Sequence, residues 1–253
     1  MLILYQPIVD IRSRDVVKVE ALCRLGTPAN PQNPAEFIPY AEENGLIRGL
    51  TDRVLQHALD DWKTLGRLAP PGLSLNLSLK NLEEPDLPER VAAALKRAGF
   101  TPSLLWFEIG EDVQSWDDSM LEPMKRLAAL GVRFSIDNFG PGLSQVSFSE
   151  LQRLPGVSEL KIDARYVRDM DLDAAHRTRV SSVLQLARGL GMRVVAKGVE
   201  RAEAARLLEK MGCSFAQGYY YGEPCEPAQL RELIARPPTP ETGEAPRESL
   251  RSP

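Results

Sequence analysis

Seven polar side chains stand at or near the C-terminal ends of predicted β-strands. They are Glu20, Asn76, Glu108, Asp137, Lys161, Lys197 and Gln217. When parallel strands form a sheet or barrel, these ends meet at one rim, where the active sites of such folds lie. Carboxylate and amide oxygens are the ligands that Mg²⁺ or Mn²⁺ prefers. The set therefore predicts an oxygen-rich metal site, and a rim of salt bridges without a metal is the alternative.

The strand that ends at Asp137 illustrates the pattern. In the stretch VRFSIDNFGPG, residues 132–142, apolar and polar side chains alternate before Asp137, as expected for a β-strand. Asn138 and the Gly- and Pro-rich residues after it predict a loop. A carboxylate at this junction is either a metal ligand or an aspartate that begins a turn. The similar ends of the other strands favour the metal ligand.

Strands and helices alternate along most of the chain. Two opening strands, residues 2–9 and 16–25, have a short connection that predicts an antiparallel hairpin. Further strands are predicted at residues 73–78, 104–109, 132–137, 159–162, 193–196 and 213–216, with helices between them. This alternation predicts parallel strands with right-handed crossovers, and the number of units favours a closed α/β barrel. An open doubly wound sheet is the rival, although no GxGxxG follows the first strand.

Composition limits the classes of partner and compartment. The 253 residues carry a formal net charge of −4 and are 43% hydrophobic, which argues for a folded domain and against duplex nucleic acid or a membrane surface as the main partner. The apolar runs are too short to span a bilayer, and no basic segment follows Met1 to make a secretory signal. The three cysteines, Cys23, Cys213 and Cys225, lack CxxC spacing, so we expect a reducing, cytoplasmic compartment.

The C-terminal tail differs in composition from the rest of the chain. Residues 236–253 contain five prolines and many charges, a composition typical of disordered segments. We therefore expect one folded domain over residues 1–235, followed by a disordered tail.

A series of short motifs resembles the EAL domain family. YQPIVD at residues 5–10 and VEALCR at 19–24 are followed in order by LSLNLS (73–78), FEIGE (107–111), IDNFG (136–140), LKID (160–163), VVAKGVE (194–200) and AQGYYYGEP (216–224). The resemblance covers about residues 1–235. It implies an α/β fold, a modified TIM-type (βα)8 barrel whose first strand is antiparallel. It also implies a phosphodiesterase that hydrolyses cyclic di-GMP to linear pGpG, or a member that has lost the reaction and acts as a receptor or interaction module.

The resemblance implies roles for individual residues. Metal ligands are matched by Glu20, Asn76, Glu108 and Asp137, which would hold Mg²⁺ or Mn²⁺ if the site binds a metal at all. Lys161 matches the lysine that helps to orient the attacking water. Ligand-binding positions are matched by Gln6, Glu20, Leu22, Arg24 and Gln217. Glu111 matches the glutamate that braces the loop after Asp137.

The chain departs from the family pattern at two positions of this site. Family enzymes carry two adjacent aspartates where this chain has Asp137 and Asn138, and a glutamate where it has Lys197. A two-metal mechanism needs a dense anionic clamp around both cations. Like charges about 4 Å apart cost roughly 4 kcal/mol at an effective dielectric near 20. The substitutions therefore predict weakened metal binding and a degenerate site.

The loop after Asp137 departs as well. The family's FGTGYSSL becomes FGPGLSQV at residues 139–146, and Gly110 replaces the threonine of the ELTE-like motif. The resemblance implies that these parts couple metal binding to the position of the loop and to dimer packing.

Lys197 itself has two interpretations beyond simple repulsion of a metal. Its side chain either points to solvent and leaves the site working, or its ammonium group takes the place of the second metal. In the second case Lys197 would pair with Asp137 or with a phosphate and give a pocket that binds but does not cut.

Three functions are compatible with these residues. The first is a cytoplasmic module that binds cyclic di-GMP with little or no hydrolysis. The second is a weak metal-dependent cyclic di-GMP phosphodiesterase, and the third is an interaction domain without nucleotide binding. A homodimer or a partner protein is a family expectation. We also expect the chain to be the C-terminal part of a longer signalling protein.

Overall fold

The barrel of this protein is built from strands that lie close to the predicted ones. A computed structural model describes residues 1–27, 30–66, 70–110, 116–140 and 148–235. The strands in these ranges are β1 (Leu2–Asp10), β2 (Val16–Thr27), β3 (Asn30–Gln32), β4 (Leu73–Asn76), β5 (Leu105–Gly110), β6 (Arg133–Phe139), β7 (Val157–Ile162), β8 (Arg193–Ala196) and β9 (Phe215–Gln217). The order β1-β9-β8-β7-β6-β5-β4-β2 closes on itself because β1 also pairs with β2, and β3 only extends β2.

The first strand runs antiparallel to both of its neighbours. Leu2 of β1 lies opposite Arg24 of β2, and β1 is also antiparallel to β9, whereas the other barrel strands pair in parallel. The turn between β1 and β2 is short, and the Asp10 carboxylate caps it by accepting two backbone N–H groups. The predicted α/β barrel with an antiparallel first strand is confirmed.

Helices cover the outside of the barrel. They are α1 (Pro34–Glu43), α2 (Ile47–Leu65), α3 (Leu79–Leu82), α4 (Leu87–Ala98), α5 (Asp118–Leu130), α6 (Phe148–Arg153), α7 (Ala164–Val167), α8 (Ala174–Leu190), α9 (Ala202–Lys210) and α10 (Pro227–Ala235). Asp117 and Asp173 begin α5 and α8 by accepting backbone N–H groups with their side chains. Gly131 and Gly191 end the same two helices in the left-handed conformation that glycine adopts readily.

Two short helices were not predicted from the sequence. Each follows a barrel strand directly, and a side chain at the strand's end begins it: Ser78 caps α3 and Asp163 caps α7. The strand predicted over residues 73–78 consequently ends at Asn76. The long helix α2 starts at Ile47, whose buried side chain anchors its first turn.

The barrel strands present different side chains to their two faces. The rings of Phe107 on β5 and Phe134 on β6 lie 6.2 Å apart in the hydrophobic core. Their neighbours Glu108 and Ser135 point to the opposite face because successive side chains of a strand alternate. This alternation sends the polar residues of the strand ends into the barrel interior.

Two further features concern the rest of the chain. None of the helices in the described ranges is both long and apolar enough to span a membrane. The tail that we predict to be disordered, residues 236–253, lies outside the described residues.

Candidate functional site

Glu20 on β2 lies at the centre of the polar residues on the C-terminal rim. Its carboxylate accepts hydrogen bonds from Asn76 Nδ2 at 3.0 Å, Lys161 Nζ at 2.8 Å and Gln217 Nε2 at 2.8 Å. These donors stand at the ends of β4, β7 and β9, which the closed barrel brings around β2. The structure thus joins four of the predicted residues in one hydrogen-bonded group, in which Glu20, Lys161 and Gln217 are buried and Asn76 is exposed.

Lys161 is fully buried and joins two carboxylates, since its ammonium group donates to both Glu20 and Glu108. Burial alone would lower the pKa of Lys161, but the charges of Glu108, Glu20 and Asp137 outweigh it and raise the pKa above its ordinary value. Burial also opposes ionisation of Glu20, yet the ammonium groups of Lys161 and Lys197 hold the pKa of Glu20 well below its usual range. Glu20 and Lys161 are therefore both charged at neutral pH.

Glu108 differs from Glu20 although both contact the same lysine. Burial and the nearby charge of Glu20 raise the pKa of Glu108 to about 7, against the opposing effect of Lys161. One of its oxygens, Oε1, is buried and has no hydrogen-bond partner in the described part of the chain. Glu108 therefore titrates near neutral pH and keeps one oxygen that is able to accept a ligand's hydrogen bond.

Lys197 follows β8 directly and points at Asp137. Its Nζ lies 2.6 Å and 2.7 Å from the two carboxylate oxygens of Asp137 and 3.0 Å from the amide oxygen of Asn138. The side chain of Lys197 is 19% exposed and that of Asp137 is 10% exposed. The interpretation in which Lys197 points to solvent is therefore wrong, and the pairing of Lys197 with Asp137 is the observed arrangement.

Backbone contacts hold the two halves of this ion pair in place. The Lys197 amide donates to the carbonyl of Ile162 at the end of β7, at 3.2 Å. Gly198 has φ +71°, and a Cβ built there would lie 2.5 Å from the Cβ of Ala164, so α7 packs closely against this turn. Asn138 also adopts a left-handed conformation, with φ 55°, which asparagine tolerates better than most residues.

Two cavities lie beside the polar group. The first has a volume of about 330 Å³, is lined mainly by apolar side chains of β2, β4, α1 and α2, and reaches Asp137. The second has a volume of about 260 Å³ and is lined by Lys197, Gln217 and Tyr219, among others. Leu22 lines both cavities. The two cavities therefore adjoin at the strand that carries Glu20.

The remaining predicted ligand-binding residues are placed less uniformly. Gln6 accepts a hydrogen bond from Gln217 Nε2 at 3.0 Å and lines the second cavity. Arg24 is half-buried, donates to the backbone carbonyl of the preceding residue at 3.0 Å, and is not among the residues that line either cavity. Glu111, which we predict to brace the loop after Asp137, lies outside the described residues.

The side chains of the site do not fit a two-metal centre. In the ranges that the structure describes, no group of three or more His, Cys, Asp or Glu residues is arranged to hold a metal ion. The carboxylates that the resemblance implies as ligands are already bound by lysine: Lys161 contacts Glu20 and Glu108, and Lys197 contacts Asp137. Four of the six carboxylate oxygens, both of Asp137 and one each of Glu20 and Glu108, thus contact ammonium groups.

A second charged group lies deeper in the barrel and was missed by the sequence analysis. The ammonium group of Lys18 contacts Glu159 and lies 4.2 Å from the ring centroid of Trp106. Lys18 precedes Glu20 by two positions, and Glu159 precedes Lys161 by two. Since residues two apart on a strand share a face, this spacing was the signal that could have revealed the pair.

Known proteins resemble this chain in sequence and in fold. The cyclic di-GMP phosphodiesterase PA2567 of Pseudomonas aeruginosa is 34% identical over 239 residues, which make up 92% of this chain and 40% of that protein. The solved PaMucR phosphodiesterase in complex with c-di-GMP superimposes with a TM-score of 0.82 at 34% identity, over 90% of this chain and 93% of that one. The Klebsiella pneumoniae BlrP1 complex with calcium and c-di-GMP superimposes with a TM-score of 0.77 at 28% identity, over 88% of this chain and 55% of that one.

The extent of these matches defines the family. The chain spans less than half of the length of the curated relatives that it matches. A family model described as the EAL domain matches residues 1–224, nearly all of the barrel. With the motifs in order and the barrel closed around them, this chain belongs to the EAL domain family.

Proposed function

We propose that this EAL domain is a cyclic di-GMP binding module with little or no phosphodiesterase activity. The observation that carries the proposal is the contact of the Lys197 ammonium with both oxygens of Asp137, at 2.6 Å and 2.7 Å. Asp137 is the carboxylate that would bind metal, and an ammonium group at this distance neutralises it. Metal-dependent hydrolysis of a phosphodiester needs anionic ligands around the metal ions, and this site loses one of them. The cavities that could bind the nucleotide remain.

The charge of the site supports the loss of hydrolysis. Three carboxylates, Glu20, Glu108 and Asp137, face two ammonium groups, Lys161 and Lys197, which leaves a net charge of −1 when all are ionised. With an aspartate at position 138 and a glutamate at position 197, the same group would carry −4 and would balance two divalent cations. The Lys197 ammonium repels a second cation, and a net charge of −1 balances little of the charge of two divalent ions.

The two adjoining cavities support nucleotide binding. A cyclic dinucleotide has two nucleosides whose sugars are joined through phosphodiesters, and the cavities of about 330 and 260 Å³ meet at Leu22. The first is mainly apolar and suits a base, whereas the second contains Lys197 and Gln217, which suit a phosphate and a base edge. Solved relatives of the same fold, PaMucR and BlrP1, are complexes with c-di-GMP.

An active metal-dependent phosphodiesterase is the second candidate. Glu20, Asn76, Glu108, Asp137 and Lys161 are all retained, and PA2567, which is named a cyclic di-GMP phosphodiesterase, is 34% identical. Glu108 Oε1 has no hydrogen-bond partner in the described residues, and this oxygen is therefore available to a cation.

Titration calorimetry with cyclic di-GMP tests the proposal, first in EDTA and then in excess Mg²⁺ or Mn²⁺, with chromatography of the product. In EDTA we expect a dissociation constant for cyclic di-GMP of about micromolar or lower. We expect no pGpG in any condition. Substitution of Gln217 by leucine, which removes the donor to Glu20 and Gln6, should weaken binding at least about tenfold. Release of pGpG with metal would establish the enzyme instead, and no binding in any condition would leave an interaction module.

A double substitution separates the metal site from the loop as the cause of lost hydrolysis. Lys197→Glu with Asn138→Asp restores the family's charges, and we expect pGpG to appear with Mn²⁺, at least about tenfold above the unchanged protein. Lys63→Glu changes the charge by the same amount as Lys197→Glu at an exposed position on α2 and serves as the control. If the double variant does not hydrolyse cyclic di-GMP, the cause of the lost activity lies in Gly110 and the loop at residues 139–146.

A further inference from the structure

We infer that the Lys197 ammonium is a tethered cation in the place of a divalent metal at Asp137, which excludes Mg²⁺ and Mn²⁺ and binds the phosphodiester of the nucleotide directly. The nucleotide part of this inference rests on the proposed function. The metal part stands on the ion pair alone and is tested without nucleotide.

The ammonium group is surrounded by oxygens in the way that a bound cation would be. Its three N–H donors meet three acceptors, the two Asp137 oxygens at 2.6 and 2.7 Å and the Asn138 amide oxygen at 3.0 Å. A divalent ion that used the same carboxylate would have to displace the ammonium and then remain beside its charge. Both steps weaken metal binding.

The residues at positions 138 and 197 complement each other. Asn138 supplies a neutral oxygen, so that Lys197 and Asp137 balance in charge without a further partner. An aspartate at position 138 would add one negative charge that Lys197 does not balance. A glutamate at position 197 would remove the cation, so that the negative charge of Asp137 would have no partner. The two departures from the family pattern therefore act as one change, from a metal-bound site to a lysine-bound one.

The chain fixes where this cation sits. The amide of Lys197 is bonded to the carbonyl of Ile162, and Gly198 is packed against Ala164 of α7. The side chain of Lys197 is 19% exposed, and the side that is open lines the cavity of about 260 Å³ together with Gln217 and Tyr219. An anion that enters this cavity reaches the ammonium without moving the backbone.

A phosphate oxygen has a defined place to bind. The contact of Lys197 with the neutral Asn138 oxygen is the longest of its three, at 3.0 Å. An anionic phosphate oxygen is a stronger acceptor than an amide oxygen, so it would replace Asn138 while both contacts to Asp137 persist. The ligand would then be held through Lys197 without any metal.

A titration with Mn²⁺ in the absence of nucleotide tests whether Lys197 excludes the metal. Electron paramagnetic resonance measures the free Mn²⁺. We expect Lys197→Met to bind Mn²⁺ at least about a hundredfold more tightly than the unchanged protein. Lys197→Arg keeps the positive charge and should exclude Mn²⁺ as the lysine does. Lys63→Met removes an exposed lysine on α2 and should change nothing. Equal Mn²⁺ affinity of the unchanged protein and Lys197→Met would overturn the metal part.

Calorimetry with cyclic di-GMP in EDTA tests the phosphodiester contact. Lys197→Met should weaken binding at least about tenfold, and Mn²⁺ should restore binding in this variant but add nothing to the unchanged protein. Undiminished binding by Lys197→Met in EDTA would overturn the contact. If the unchanged protein binds no cyclic di-GMP, the proposed function and the contact both fail, whereas the Mn²⁺ titration still decides the metal part.

Discussion

The barrel interior holds two layers of charged side chains built on the same two strands with opposite sign. In the lower layer, β2 supplies the cation Lys18 and β7 the anion Glu159. In the upper layer, β2 supplies the anion Glu20 and β7 the cation Lys161. Each lower residue precedes its upper counterpart by two positions. The two layers therefore share a scaffold and differ in their neighbours.

The neighbours of the lower layer close it. Lys18 is 1% exposed and Glu159 is fully buried, and the indole of Trp106 covers the ammonium at 4.2 Å. Arg193 approaches the second oxygen of Glu159 at 3.7 Å and also lies over the Trp106 ring. Glu159 Oε2 has no hydrogen bond in the described residues, as is also true of Glu108 Oε1, but aromatic surface fills the space around the lower pair.

The neighbours of the upper layer keep it reactive. Glu108 adds a second carboxylate to Lys161 and retains an oxygen with no partner in the described residues. Asp137 and Lys197 form a further pair that borders two cavities. The comparison teaches that a buried ion pair by itself does not mark a functional site. Open space next to the pair does.

Removal of Lys18 should produce the largest effect on stability. Lys18→Met leaves Glu159 buried without its main partner, and we expect a loss of about 3–5 kcal/mol in the free energy of unfolding. Burial already lowers the pKa of Lys18, so desolvation costs much of what the pair gains. Urea unfolding of the purified protein measures the change.

The matching double variant shows whether the lower layer is only structural. Lys18→Met with Glu159→Leu replaces both charges by apolar groups, which is often neutral or stabilising. We expect it to recover most of the stability that Lys18→Met loses and to leave nucleotide binding at the upper layer unchanged. Loss of binding in a stably folded double variant would break the distinction between the layers.

The upper layer should show a pH dependence that originates at Glu108. Its folded pKa of about 7 lies above the ordinary value of 4.5, so the folded state holds a proton that the unfolded state releases between these pH values. The contribution of Glu108 to stability is therefore fully present below about pH 4.5 and is lost as the pH rises through 7. The loss is about 3 kcal/mol at most.

Glu108→Gln removes this titration without changing the shape of the side chain. The free energy of unfolding of the unchanged protein, relative to Glu108→Gln, should fall between pH 5 and pH 8 in urea titrations at constant ionic strength. A difference that stays constant across this range would mean that Glu108 is ionised throughout and that the upper layer tolerates its charge as the lower layer tolerates Glu159.

The sequence was sufficient for the barrel and for the expectation that several polar residues meet at one rim. Asp137 is identifiable because loop-forming residues follow it in the sequence, although β6 continues to Phe139. Glu20 lies within β2 and is identified by its motif, not by a strand end. Closure of the barrel then requires the strand ends to meet. The barrel is confirmed because this inference does not need the position of any side chain.

The contacts within the site could not be predicted in the same way. Lys197 has a long side chain with four rotatable bonds, and the sequence left open whether it points to solvent or to Asp137. The lower layer was missed because Lys18 interrupts an apolar strand in the manner of a solvent-facing residue, and only the opposing Glu159 shows that it faces inward. The direction of the Lys197 side chain and the pairing of Lys18 with Glu159 both depend on charges that are far apart in the chain and adjacent in the fold.

Removal of Lys197 should have the smallest effect on stability. Lys197 is 19% exposed, and Asp137 lines the cavity of about 330 Å³, so water in this cavity can hydrate the carboxylate that Lys197→Met leaves unpaired. We expect a loss of about 1 kcal/mol or less, against about 3–5 kcal/mol for Lys18→Met, measured by urea unfolding under the same conditions. A loss for Lys197→Met as large as that for Lys18→Met would make Lys197 part of the structural interior. The ammonium would then be unable to change partners when a phosphate arrives, and the upper layer would be as closed as the lower one.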